Sequence, residues 1–337
     1  MKKMVLILTA LVLCTSLAFA LGGAERAEQP TRPIEWKYSV VFPAVGTQAE
    51  GAMELGRLLE EYSDGRLEFK FYPSSQLGDK MASLEGLRAG TIEMTECAAS
   101  DLSNFSPIWS VFSLPYLFDS GAEAVRVLNS PEVARILHED AERNGFKIIA
   151  WCNYGERSVL NSRRPVYTPE DLSGLKIRVM QDPVLADAIN AMGASGTPMA
   201  WSEVYTALQQ RVIDGLENSP PVITANNMHE VAQFYSLTEQ FIIPDPILVS
   251  KRIFDDLPAD LQEAILAAGK ASEEFWNNEL WPAAFEKQFE VMRASGVQIN
   301  EVDKDAFRAS VQPMVDEFLR NADPRSRELY EAIIAAR

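Results

Sequence analysis

Apolar residues recur along this chain with two alternating periods. Trp36-Lys37-Tyr38-Ser39-Val40-Val41-Phe42 is a β-prone run and predicts the first strand. Ala52, Leu55, Leu59 and Tyr62 then follow at helical spacing, which predicts a helix with one buried face and Gly65 just past its end. Leu67, Phe69 and Phe71 alternate with Glu68 and Lys70, the period of a half-buried strand. A second helix is expected from Lys80 to Ala89, closing at Gly90, before a strand over Ile92–Cys97. Strand, helix, strand, helix, strand is the grammar of an α/β fold with a largely parallel sheet.

The alternation then repeats with different residues. Helical stretches near 121–144 precede strands at Lys147–Cys152, Ser158–Asn161 and Leu175–Val179. Pro183 to Met192 predicts a helix with Asp182 at its N-cap, Pro183 at its first position and Gly193 beyond its end. Another helix starts at Ser202 and carries Val204, Leu208 and Val212 on one face. The apolar segment 241–250 is expected to cross back to the first half. From Ala259 to about Ser295 the helical signal is interrupted only by Pro282, and two helices near 304–320 and 324–336 complete the chain.

At 337 residues the chain exceeds one comfortable hydrophobic core, which predicts two domains. No flexible linker separates them, so the expected division is interleaved. One domain takes 33–153 with about 240–282, the other 154–239 with about 283–322, and 323–337 forms a C-terminal helix. Residues 1–20 read as a cleaved signal peptide: Lys2 and Lys3, a short apolar run, then Ala18-Phe19-Ala20. Its removal takes two positive charges and moves the net charge from −17 to −19. The mature chain is therefore expected to be soluble and periplasmic, with no direct membrane insertion. So acidic a surface argues against nucleic acid as a partner. It also requires that any anionic ligand be held by locally placed cations.

Enzyme chemistry is poorly supported. His138 and His229 are the only histidines, and Gly193-Ala194-Ser195-Gly196 lacks the spacing of a nucleophile elbow. Cys97 and Cys152 sit in no metal-binding pattern and are expected as separate buried thiols. No cofactor or metal is expected. Arg178, at the end of Leu175-Lys176-Ile177-Arg178-Val179, is better placed, because an open α/β sheet binds ligands beyond its strand ends. Its planar fork suits a carboxylate. Taken alone, a surface arginine paired with an acid is the more ordinary reading.

Four motifs in order change that balance. They are Ser63-Asp64-Gly65 through Tyr72-Pro73 to Gln76-Leu77-Gly78; Leu114-Pro115-Tyr116-Leu117-Phe118; Leu172-Ser173-Gly174 through Val179; and Met192-Gly193-Ala194 through Glu203-Val204-Tyr205 to Asp214-Gly215-Leu216-Glu217-Asn218. With them the chain resembles the substrate-binding subunits of tripartite ATP-independent periplasmic (TRAP) transporters, the DctP-like family. The resemblance implies a two-domain periplasmic solute-binding fold, a long domain-spanning helix and closure on a small organic acid. It implies TRAP membrane subunits as partners and no enzymatic activity. It also implies that Arg178 pairs with the ligand carboxylate, that Arg157 assists, and that Asn218 hydrogen-bonds the ligand. Family members commonly carry Gly at the position of Arg211, so a different turn is expected there. Ala98 or Ala99, with Glu96 slightly upstream, replaces the glutamate of the sialic-acid-binding branch, and the Arg178–Pro183 stretch looks closer to the hexuronate-binding branch. The Asn218-Ser219 pair departs from the Asn-Asn often found in that branch.

The expected ligand is thus a sugar acid such as glucuronate or galacturonate. Gln48, Glu96, Asn153 and Gln181 are candidates for its hydroxyls and Trp201 for its apolar face. A C4-dicarboxylate or a 2-oxo acid is the alternative, and Phe42, Trp151 and Trp201 would build the apolar pocket of the latter. An exported enzyme or lectin-like module acting on acidic sugars is the reading from another class.

Overall fold

The computed structural model describes residues 32–337. The signal peptide expected at 1–20 lies outside the described residues. Two sheets organise the molecule. Strands β1 (Ile34–Ser39), β2 (Leu67–Tyr72), β3 (Met94–Glu96), β10 (Asp245–Ser250) and β4 (Phe146–Cys152) form one, in the order β2-β1-β3-β10-β4. Strands β5 (Arg157–Asn161), β6 (Lys176–Val179), β7 (Ser195–Pro198), β8 (Gly215–Asn218), β9 (Phe234–Phe241) and β11 (Gln298–Asn300) form the other, in the order β11-β9-β5-β8-β6-β7. The β1–β3 and β6–β8 pairs are parallel, while β10 and β5 run against their neighbours.

This antiparallel placement follows from the chain path. β4 leaves the five-stranded sheet and β5 enters the six-stranded one; β9 and β10 make the return crossing. A third connection is the long helical run Ala259–Phe275, Trp276–Leu280 and Trp281–Ala294. Its first part packs on the Thr47–Tyr62 helix and on β4, and its last part packs on the Pro220–Ala225 helix. Pro282 does not break the run. A proline has no N–H to donate and its ring collides with the carbonyl one turn back, so the helix widens into a π-turn at Trp276–Leu280 immediately before it.

The apolar periods read from the sequence match the burial in most elements, and two departures are instructive. Leu55 and Leu59 are buried, but Tyr62, in the last turn of its helix, is exposed. Val212 is exposed rather than continuing the face of Val204 and Leu208. The helix ends at Gln209, and Arg211 then takes a left-handed φ of 61°, which swings Val212 off the buried face. Arg211 thus adopts the backbone that glycine favours, at a conformational cost. β7, β8, β9 and β11 carry no clear period in the sequence and are not among the expected strands; Ser195 and Gly196, which read as a loop after the helix cap, open β7. Cys97 and Cys152 are separate buried thiols.

The long helix sits close to β4 because Gly269 faces it: a Cβ there would lie 2.3 Å from the Ile149 carbonyl oxygen. Gly269→Ala is expected to force the helix outward and to cost about 1–3 kcal/mol, as overpacking of a tight core does. Urea unfolding should show this as a lower midpoint with an unchanged slope.

Candidate functional site

A cavity of about 720 Å³, part of it open to solvent, lies where ends of strands from both sheets meet. Val41 and Phe42 follow β1, Ala98 follows β3, and Met180 and Gln181 follow β6. This is the strand-end position at which open α/β sheets build binding crevices.

Arg178 reaches the cavity from the end of β6 and is only 4% exposed. Its Nε and one Nη donate to the Met199 carbonyl at 2.9 and 2.7 Å. Met199 is held in place because its own N–H donates to Val179, extending the β6–β7 pairing. The guanidinium carbon lies 5.3 Å from the ring centre of Trp201, itself anchored through Nε1 to Asn226 Oδ1 at 3.3 Å. Among the described residues no carboxylate lies within ion-pair distance of Arg178. Burial pulls its pKa down to about 10; Glu217 opposes the fall and Arg157 adds to it. It remains a cation at neutral pH.

Arg157 is different. It is 5% exposed and its fork grips Glu217, with Nε to Oε2 at 2.7 Å and Nη2 to Oε1 at 2.9 Å. Glu217 is fully buried, so the two side chains neutralise one another across the β5–β8 pair. Asn218 is the next residue of β8. Its Oδ1 accepts the Ser219 N–H at 2.9 Å, which orients the amide and leaves Nδ2 as the donor at the cavity.

The cavity therefore gathers Arg178, Arg157, Asn218, Gln181 and Trp201, together with Gln48 and Phe42. It does not gather the rest. Both oxygens of Glu96 are taken by tyrosine hydroxyls: Tyr38 donates at 2.9 Å and Tyr154 makes a short contact. Glu96 thus stands behind Tyr154, which does line the cavity. Asn153 turns its Oδ1 to the Gly155 N–H at 2.7 Å and closes the turn between β4 and β5. Trp151 belongs to the core, 6.4 Å from Trp109 between ring centres.

Four chemically important residues escaped the sequence reading: Lys80, Asp101, Tyr154 and Asp245. Lys80 Nζ lies 3.4 Å from Asp101 Oδ2 and 3.9 Å from Asp245 Oδ2. Each residue is unremarkable in its local segment, since Asp101 sits in a 3-10 turn and Asp245 opens β10. Only the crossing of the chain between sheets brings them together. Burial pushes the Asp245 carboxyl up to about 7, with Lys80 and Arg157 opposing the rise and Glu96 and Asp101 adding to it.

That shift fixes a sign. Between the ordinary aspartate value near 3.8 and about 7, the folded state holds a proton that the unfolded state has released. Stability contributed by Asp245 is therefore lost as pH rises through this window. Asp245→Asn cannot titrate, so the ligand-free variant should melt higher than the parent at pH 8 and no higher at pH 5. Differential scanning calorimetry at the two pH values checks this; an unchanged gap would contradict it.

Comparison with known proteins agrees with this architecture. Residues 38–321 match the model of the DctP family, described as bacterial extracellular solute-binding protein, family 7. A TRAP periplasmic solute-binding protein from Chromohalobacter salexigens, solved with bound D-glucuronate, superposes with a TM-score of 0.85 at 31% identity, covering 90% of this chain and 100% of its own. The 2,3-diketo-L-gulonate-binding periplasmic protein YiaO of Escherichia coli is 32% identical over 288 residues, 85% of this chain and 87% of its own. The C4-dicarboxylate-binding periplasmic protein DctP of Rhodobacter capsulatus is 31% identical over 319 residues, 92% and 93% respectively.

Proposed function

The chain belongs to the bacterial extracellular solute-binding proteins of family 7, and from that premise we propose that it captures a six-carbon sugar acid in this cavity for TRAP membrane subunits. The observation that carries the reading is Arg178: a buried guanidinium, lacking a carboxylate of its own, seated in a cavity of small-molecule size. A ligand carboxylate would meet the N–H groups that Met199 leaves free, and Trp201 would offer an apolar surface to the sugar ring. Arg157, already paired with Glu217 through Nε and Nη2, keeps Nη1 as a donor rather than adding a second free charge. Asn218 Nδ2 supplies a neutral donor nearby.

Further parts of the reading rest on the same premise. Residues 1–20 direct export to the periplasm and are removed. Among the described residues no helix is long and apolar enough to cross a membrane. The five-stranded sheet with residues 33–153 and about 240–282, and the six-stranded sheet with 154–239 and about 283–322, act as two domains that close on the ligand. Contacts from both are what favour the closed state. Cys97 and Cys152 take no part.

A second reading, a C4-dicarboxylate, draws on the similarity to the Rhodobacter protein. It needs a second cation opposite Arg178, and Lys80 is the one at hand. A 2-oxo acid would use Phe42 and Trp201 and leave the polar groups idle.

A thermal-shift panel of hexuronates, aldonates, dicarboxylates, 2-oxo acids and sialic acid distinguishes these readings. Glucuronate or galacturonate should raise Tm most; a shift confined to dicarboxylates or 2-oxo acids overturns the sugar acid but not carboxylate capture. Arg178→Ala should lower affinity for the best ligand more than a hundredfold, as breaking a desolvated ion pair costs about 3–5 kcal/mol. Arg178→Lys should fail substantially too, since an ammonium cannot serve the Met199 carbonyl and a carboxylate together through a planar fork. Calorimetric affinity near that of the parent for either variant would remove Arg178 from its role.

A further inference from the structure

The walls of the cavity are electrically unlike. Arg178 and Arg157, the latter paired with the fully buried Glu217, reach the cavity from the six-stranded sheet. Elements around the five-stranded sheet bring Asp79, Asp101 and Asp245 together with Lys80, three carboxylates to one ammonium. Asp79 is committed as the N-cap of the Lys80–Ala89 helix, accepting the Ala82 N–H at 2.9 Å. Asp101 Oδ2 accepts the Ala98 N–H at 3.1 Å and faces Lys80. Asp245 is 6% exposed, and its Oδ1 is buried without a hydrogen-bond partner.

A second acceptor at the cavity has the same defect. Gln48 donates through Nε2 to the Tyr154 hydroxyl at 3.2 Å, while its Oε1 is buried and unpartnered. Buried acceptors are costly to leave unmet. Both therefore favour a ligand that brings hydrogen-bond donors. An ionised carboxylate brings none. Its far end would also gain one attraction, to Lys80, against repulsion from Asp101 and Asp245.

We propose that Asp245 and Gln48 determine specificity, accepting hydroxyl hydrogens of the bound acid while the Asp101–Asp245 wall turns away ligands bearing a second carboxylate. The site thereby takes polyhydroxy monocarboxylates. This rests on the reading that Arg178 holds the first carboxylate. Discrimination of this kind works by unfavourable contact with the wrong ligand as much as by attraction to the right one. With the Asp245 carboxyl near 7, its wall is fully charged only above neutrality.

Titration calorimetry of ligand-free protein at pH 8 with D-glucuronate and with succinate tests the inference. The parent should prefer glucuronate. Asp245→Asn should weaken glucuronate and strengthen succinate by about tenfold each, so their ratio moves about a hundredfold, the scale of charged hydrogen bonds and like-charge contacts. A ratio unchanged within about threefold overturns the role of Asp245 while leaving sugar-acid capture intact. If circular dichroism shows that this variant misfolds, Gln48→Met carries the test: glucuronate alone should weaken, by about fivefold. Equal weakening of both ligands overturns the inference. If the parent instead binds a 2-oxo acid and no sugar acid, the earlier reading fails, and hydroxyl selection falls with it. A parent that prefers succinate overturns the charged wall outright.

Discussion

A buried guanidinium that has no carboxylate of its own among the described residues is the constraint around which this cavity is arranged. Removing a cation from water is expensive, and burial pulling the Arg178 pKa down to about 10 expresses that cost. The fold does not cancel it with an internal acid, although a fully buried glutamate is near. Glu217 is instead gripped by Arg157 in a two-pronged pair. What Arg178 receives is the Met199 carbonyl and the face of Trp201, enough to fix the fork without neutralising it. The β6–β7 pairing supplies that carbonyl, and the turn into the Trp201–Gln209 helix supplies the ring. On the proposed function an anion from solution would complete the arrangement, and occupancy would couple to stability by mass action.

Much of this was legible along the chain. Arg178 could be placed because Leu175–Val179 carries a strand signal and the arginine falls at its end. The long helix was legible because its apolar positions run on past Pro282, and the π-turn explains how the backbone absorbs that proline. Asn218 and Arg157 came from the family motif rather than from spacing. The pairing of Arg157 with Glu217 was not legible, since 60 residues separate them and only the antiparallel β5–β8 register sets them side by side. Glu96, Asn153 and Trp151 show the opposite failure. All three have suitable chemistry near strand ends, but two tyrosine hydroxyls, the Gly155 N–H and the Trp109 ring claim them first. A residue type announces what it can bind, whereas its neighbours in space decide what remains free to bind.

The far wall is illegible along the chain for the same reason. Lys80, Asp101 and Asp245 come from a helix start, a 3-10 turn and a returning strand. None has a local period that marks it. They meet because β10 crosses back and inserts between β3 and β4, which puts Asp245 opposite Cys152 at the sheet end. The crossing that ties the two sheets together is thus also what gives the cavity its second, acidic face.

That face bears on how an acidic protein takes up an acid. The whole chain carries a formal charge of −17, so its general field repels the ligand proposed for it. Within about 8–10 Å at ordinary salt, screening leaves local groups in control. There, on the proposed reading, Arg178 would attract one end of the ligand while the acids around Lys80 would repel a second charge. A monocarboxylate with hydroxyls at its opposite end would then fit in one orientation only. Reversed, it would set its charge against Asp101 and Asp245 and leave Arg178 unpaired. Orientation and selectivity would then share a single cause, the contrast between Arg178 and the acids around Lys80, and neither would require the net charge of the protein to favour binding.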